Sequence, residues 1–141
     1  MVKDNVRSLH SLLACVETVM LTTIDDHYRL ISRPMTLQID NDLQSQGTLH
    51  LFAPANSRAI THIAARAAVN VSFASLTRSV SLSGTADFTT DRATVERAWH
   101  DRLAPWFPHG AAQVALIEVT IHEARLWNSP GAVAETRWHV G

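Results

Sequence analysis

The stretch SRPMTLQ, Ser32 to Gln38, decides how the first half of the chain is read. Around it Arg29, Ile31, Arg33, Met35, Leu37 and Ile39 alternate with polar or small residues. Such period-two alternation marks a strand with one buried face. Yet Arg33 stands in the middle of that face, and Pro34 beside it has no backbone N–H to give to a sheet. A buried arginine costs several kcal/mol unless its charge is paired, and it cannot escape by losing its proton. Three arrangements meet this constraint. Pro34 shifts the register and turns the guanidinium to solvent, an internal carboxylate pairs with it, or the strand's pairing ends here and Arg33 faces an anionic ligand.

The flanking sequence supplies more strands. TVMLTTI (18–24) is rich in β-branched residues and reads as a strand, and DDHYR turns the chain into a second strand over 28–39. NDLQSQG is a polar turn before a third strand, TLHLFA (48–53). VNVSFASL (69–76) and SVSLSGTADFTT (79–90) are two more; in the latter Val80, Leu82, Gly84, Ala86 and Phe88 line one face. The last strand, QVALIEVTIHEARLW (113–127), is long enough to predict a bulge near His122–Glu123. Helices are expected at 4–17, where Val6, Leu9, Leu13 and Val16 recur at helical spacing, and at 54–67 over about three turns. In the second of these, Ile60, Ile63, Ala64 and Ala67 share a side. A third runs from Asp91 to about Leu103, where APWFPHG breaks it. Six strands with too few helices to cover a parallel sheet predict a β-rich α+β fold, a small six-stranded antiparallel β-barrel with flanking helices.

Composition narrows the function classes. The chain has 141 residues, enough for one domain with a real core, and 46% hydrophobic and 18% charged residues. A net charge of −1 without a basic run argues against nucleic acid, which needs clustered cations. Lys3 is the single lysine, so the positive charge is almost all arginine, the side chain suited to bidentate anion recognition. Cys15 is the one cysteine, which excludes an intrachain disulfide and a cysteine-based metal site; a core position is expected for it. No signal-peptide pattern and no run of about 18 apolar residues is seen, so a cytoplasmic chain without a membrane span is expected. The eight histidines form no HExxH or HxH pair, and no GxSxG elbow occurs, so neither metal nor hydrolase chemistry is supported.

A second group of residues points the same way as Arg33. In PANSRAI, Asn56 or Ser57 is a good N-cap, and a helix start offers free N–H groups and a positive dipole end to an anion. Arg58 in the first turn opposes that dipole, a conflict that a bound anion would resolve. An ordinary cap with a solvated arginine accounts for the same residues. Among the aromatics, Trp99 is expected in the core. Trp106 and Phe107, set between two prolines, suit either stacking on a planar ligand or capping a helix against the barrel.

Taken in order, the segments VMLTTI, LISRPM, LHLFAPANSRAI, VNVSFAS, SVSLSGTAD, WHDRLAPWFP and ALIEVTIHEARLWNSP resemble the pyridoxamine 5′-phosphate oxidase-like flavin-binding split barrels, in the general stress protein 26 branch. The likeness spans about residues 8–131 and treats the whole chain, 1–141, as one such domain. It implies a split barrel with FMN bound at a homodimer interface; FAD is also compatible, since both present a phosphate to the same arginine. Carried over, Arg33 looks like the arginine on the FMN phosphate, and Pro34, Met35 and Thr36 like backbone lying along the isoalloxazine. Phe52 and Ala53 match the strand end that contacts the flavin, Ser57 and Arg58 the phosphate-binding helix start. Trp127 is similar to a tryptophan that the second subunit contributes.

Departures from that pattern bear on activity. Relatives often carry a lysine where Ala59 stands, and relatives of the true oxidase a basic residue near Gln38 and a threonine at Ala53. Each missing charge-assisted contact is worth roughly 1–3 kcal/mol. The Arg-Leu-His-Asp-type substrate motif of true oxidases is replaced by NSPGAVAETRWH, in which Arg137 could stand for one arginine only. Pyridoxal phosphate synthesis is therefore not expected. The resemblance leaves three functions: an FMN-dependent oxidoreductase of general-stress type, a non-catalytic flavin-binding, sensing or storage dimer, and a flavin-free interaction module.

Overall fold

The structure is a computed structural model and describes residues 18–37, 47–75, 78–99, 101–127 and 136–139. The expected first helix at 4–17 with Cys15, most of the polar turn before the third strand, and Gln38 lie outside these residues. The strands are β1 (Thr18–Ile24), β2 (Leu30–Leu37), β3 (Thr48–Pro54), β4 (Ala68–Ala74), β5 (Ser79–Thr89), β6 (Val114–Trp127) and β7 (Thr136–His139). Two helices, α1 (Arg58–Ala65) and α2 (Arg92–Ala98), and two short 3-10 turns complete the described chain.

All pairings are antiparallel in the order β3-β2-β1-β4-β5-β6-β7, and β3 also pairs with β6. The first six strands thereby close into a barrel. β6 is long because along one edge it serves two partners in turn, with β5 on the other. Its first half, Val114–Thr120, pairs with β3, and residues 123–126 pair with β7. Between the two, the register against β5 slips at Ser83/Gly84 and leaves His122 without an opposite residue, the bulge expected from the strand's length. β7 was not expected; its four residues are held by the stretch of β6 that β3 has left.

Side chains facing inward form the main core, including Val19, Leu21, Met35, Leu37, Val71, Leu82 and Ile117. A second, smaller core of Phe52, Val95, Leu103, Val114 and Leu116 lies under α2, with Trp99 edge-on to both Phe52 and Phe107. Trp99 thus has the expected core position, but the helix before it is shorter than expected. Its N-cap Asp91 accepts from Thr94 N and Thr94 Oγ1, and it ends at Ala98 because Trp99 turns extended into the second core. α1 is also shorter, two turns rather than three. Ala59, Ile60 and Ile63 bury against the barrel, whereas Ala64 is exposed. The Ala67 carbonyl already accepts from Ala86 N of β5, so the chain has entered the sheet before a third turn can form.

Candidate functional site

The barrel is parted between β2 and β3. Among the described residues their pairing is confined to Thr36 opposite Phe52 and Leu37 opposite Leu51, and toward Arg33 the strands separate. Pro34 lies in this unpaired stretch, where its missing N–H leaves no vacancy in a ladder with β3. Pro34 does not shift the register with β1, which runs unbroken from Thr18 opposite Thr36 to Ile24 opposite Leu30. Directly opposed residues share a face. Arg33 is opposite Leu21, and Leu21 is opposite the fully buried Val71, so the guanidinium enters the barrel mouth from the inward face.

There the guanidinium meets a hydroxyl, a backbone carbonyl and an imidazole. One terminal nitrogen donates to Thr23 Oγ1 at 2.7 Å and to the Leu21 carbonyl at 3.4 Å, and the other donates to His62 Nδ1 at 3.4 Å. Among the described residues it pairs with no carboxylate, and it is turned into the cleft rather than out to solvent. Burial pushes the pKa of Arg33 down from its ordinary value, as for a cation short of water, although a guanidinium keeps its proton. Thr23 is fully buried and its hydroxyl lies 2.7 Å from His62 Nδ1, bridging β1 to α1.

Arg33, Arg58, His62 and Arg66 line one cleft of about 600 Å³, together with Arg29 and the turn Asp25–His27. The rim is fixed by local bonds. Asp25 Oδ1 accepts from the backbone N–H groups of His27 and Arg29, and Oδ2 accepts from Arg29 Nε. The Arg29 N–H, the largest cause, holds the Asp25 carboxyl below its ordinary pKa. Arg66 donates to the Asp25 carbonyl and lies 4.3 Å over the Tyr28 ring. Asp25, Asp26 and His27 bring three potential metal-ligand atoms within 4.8 Å, but the Asp25 oxygens already serve the turn.

The residues expected at the site divide into groups. Arg33 and Arg58 come together in the cleft. Ser57 is the N-cap of α1, yet its side chain makes no capping bond and its buried Oγ has no partner. Pro34 is exposed, Met35 is buried and Thr36 half-buried as β2 runs on toward β3. The Phe52 ring lies in the second core and Ala53 in the main core, so a ligand beside them would meet backbone only. Trp127 is half-buried at the far end of β6, opposite Ser79. Trp106 is 69% exposed, and Phe107 packs in the second core. Thr23, His62 and Arg66 were not anticipated. Thr23 continues the inward alternation of Val19 and Leu21, and His62 and Arg66 follow Arg58 at helical spacing of four, the signals by which sequence could have found them.

These features, an antiparallel barrel split beside an inward arginine and a helix start with a second arginine, coincide with a family match. The model of proteins like pyridoxamine 5′-phosphate oxidase matches residues 4–140. The chain belongs to this family. Among curated proteins no match is found. A Clostridium acetobutylicum protein related to general stress protein 26 of Bacillus subtilis superposes with a TM-score of 0.82 at 15% identity, over 98% of this chain and 96% of that one. General stress protein 26 of Bacillus anthracis gives 0.73 at 16% identity, over 95% and 98%. The general stress FMN/FAD binding protein of Xanthomonas citri gives 0.72 at 26% identity, over 94% of both chains. The first two likenesses are of fold; the third extends to a quarter of the sequence.

Proposed function

We propose that this family member is a cytoplasmic FMN-binding protein of general-stress type, a homodimer with flavin at the subunit interface and FMN-dependent oxidoreductase activity. One observation carries this reading: Arg33, without a carboxylate partner among the described residues, shares a cleft with Arg58 where β2 and β3 part. The partnerless Ser57 Oγ at the α1 N-cap supplies a further donor that the fold leaves unused. The residues fit a phosphate: two arginines to neutralise it, a hydroxyl and the first N–H groups of a helix to orient it. When bound, the isoalloxazine supplies the redox chemistry. The chain's task is to hold the phosphate through Arg33, Ser57 and Arg58 and to present the β2 backbone, Pro34 to Thr36, along the ring. Ala59 and Ala53 are buried in the core, so the donors common in relatives at these positions are absent here and the arginines carry the binding.

The homodimer is supported by the surface of the β1–β2 hairpin. Of the five large hydrophobic residues exposed among those described, Met20, Tyr28, Leu30 and Ile31 fall in this hairpin. An FMN titration followed by quenching of flavin fluorescence tests the proposal. Micromolar binding is expected, weakened at least tenfold by Arg33→Ala, about 1.4 kcal/mol. Absence of binding by the unaltered protein would overturn it. Reduction of the bound flavin by NADPH or NADH then separates an oxidoreductase from a flavin store.

A further inference from the structure

Donor and acceptor roles at His62 Nδ1 depend on its tautomer, and one tautomer serves both of its contacts. A guanidinium only donates, so the contact from Arg33 makes His62 Nδ1 an acceptor. Thr23 Oγ1 accepts from Arg33, so its own proton is free to go to His62 Nδ1. In the arrangement that uses both contacts, Nδ1 is bare, the imidazole proton is on Nε2 and the ring is neutral. His62 in this form fastens Arg33 from two directions, directly and through Thr23.

Protonation of His62 would reverse these contacts. Nδ1–H would oppose the N–H of Arg33, and a second cation would stand beside a half-buried guanidinium at the mouth of the barrel. With the cleft empty, that arrangement is disfavoured. With a dianion in the cleft that His62, Arg33 and Arg58 all line, the added charge and donor are favourable.

We propose that His62 is a proton-linked positioning residue of the anion site: neutral, it holds Arg33 in place, and when an anion binds it takes up a proton from solvent. Among the described groups near it, the one other imidazole is His27, on the β1–β2 turn of the same cleft, and the His62→Asn variant distinguishes the two. On its own helix Arg58, and just past its end Arg66, stay charged. From β1 it meets Thr23 and from β2 Arg33, and the β1–β2 turn adds Arg29, an Asp25 tied to backbone N–H groups, and Asp26 3.0 Å from His27. β5, the other strand packed on α1, carries only Asp87, which lies beside Glu118 in a separate cleft.

The inference shares its cleft with the flavin reading but rests on the anion alone, so inorganic sulfate, doubly charged throughout the range, is the probe. Calorimetric titrations in two buffers of different ionisation heat count the protons bound with each sulfate. The expected result is a net uptake, approaching one proton per sulfate, with affinity falling as pH rises from about 6 to 8. His62→Asn, which keeps an acceptor near Nδ1 but cannot ionise, is expected to bind sulfate without proton uptake and with an affinity that no longer falls between about pH 6 and 8. His62→Ala loses the hold on Arg33 and binds about tenfold more weakly even at pH 8, the scale of one hydrogen bond to a charged group. Unchanged uptake in His62→Asn, or no sulfate binding by the unaltered protein, would overturn the inference. The same titration with FMN separates the two readings. FMN bound with equal proton uptake by the unaltered protein and His62→Asn removes this inference alone. Sulfate bound with uptake but FMN refused removes the flavin reading alone.

Discussion

A cation on the inward face of a barrel is a poor choice for stability, and at Arg33 this separates function from folding. The guanidinium is partly desolvated and has no carboxylate partner among the described residues, while Thr23 and His62 could keep their bond without it. Replacing buried charge by an apolar side chain of similar length is often neutral or stabilising. Arg33→Met is therefore expected to leave the unfolding free energy unchanged or raise it by as much as about 1 kcal/mol, measured by denaturant melts. The same variant should lose FMN affinity at least tenfold. A clear loss of stability would mean that Arg33 serves the fold. Asp25 is the opposite kind of residue, tied to the β1–β2 turn by two backbone N–H groups. Its folded-state pKa lies below its ordinary value, so its stabilising effect is present above that value and fades as pH falls through the folded one. Between pH 5 and pH 3 the melting temperature of the unaltered protein should fall more steeply than that of Asp25→Asn; parallel curves would remove Asp25 from the acid response.

At the scale of elements, the bulge on β6 determines how closely β5 can approach. A Cβ at Gly84 would run into the Thr120 carbonyl oxygen and crowd Ile121 Cα at 3.2 Å, backbone atoms that cannot swing aside. Gly84→Ala should cost about 1–3 kcal/mol, the usual range for overpacking, read as a drop of several degrees in melting temperature. An unchanged melt would show that the slip at Ser83/Gly84 can move along the strand. This bulge was legible in the sequence because fourteen residues of strand outrun any single partner. So were the strands themselves, whose faces alternate cleanly in Val80, Leu82, Ala86 and in Val19, Leu21. Helix lengths were not. Alanine favours a helix through 67, but the hydrogen bond from Ala86 N to Ala67 O decides for the sheet. β7 was illegible because what holds it is the vacated half of β6, a consequence of topology. In the site, Arg33 and Arg58 stood out as charges in places that punish charge. Thr23 and His62, 39 residues apart, become partners only when α1 is laid over the barrel mouth.

For the whole molecule, the decisive question is what covers the outer face of the β1–β2 hairpin. Met20 opposite Pro34 and Ile24 opposite Leu30 share that face, and Leu30 is 73% exposed. With β4 they border a shallow groove lined by Thr22, Ile24, Leu30, Val69 and Asn70. Scattered apolar residues are ordinary on a surface, but apolar pairs joined across one hairpin suit a self-complementary contact. The face lies on the same two strands whose inward side carries Thr23 and Arg33, so a second subunit here would stand close to the cleft. Sedimentation of the unaltered protein at micromolar concentration is expected to give twice the 15.6 kDa chain mass. Leu30→Asp places a charge where a monomer already exposes the side chain, so the monomer's fold should be intact by circular dichroism while the dimer dissociates. If the flavin site spans two subunits, FMN affinity falls with it, and raising the protein concentration restores both together. A Leu30→Asp protein that is monomeric yet binds FMN as before would confine the site to one barrel. A dimer that survives the substitution would place the interface elsewhere.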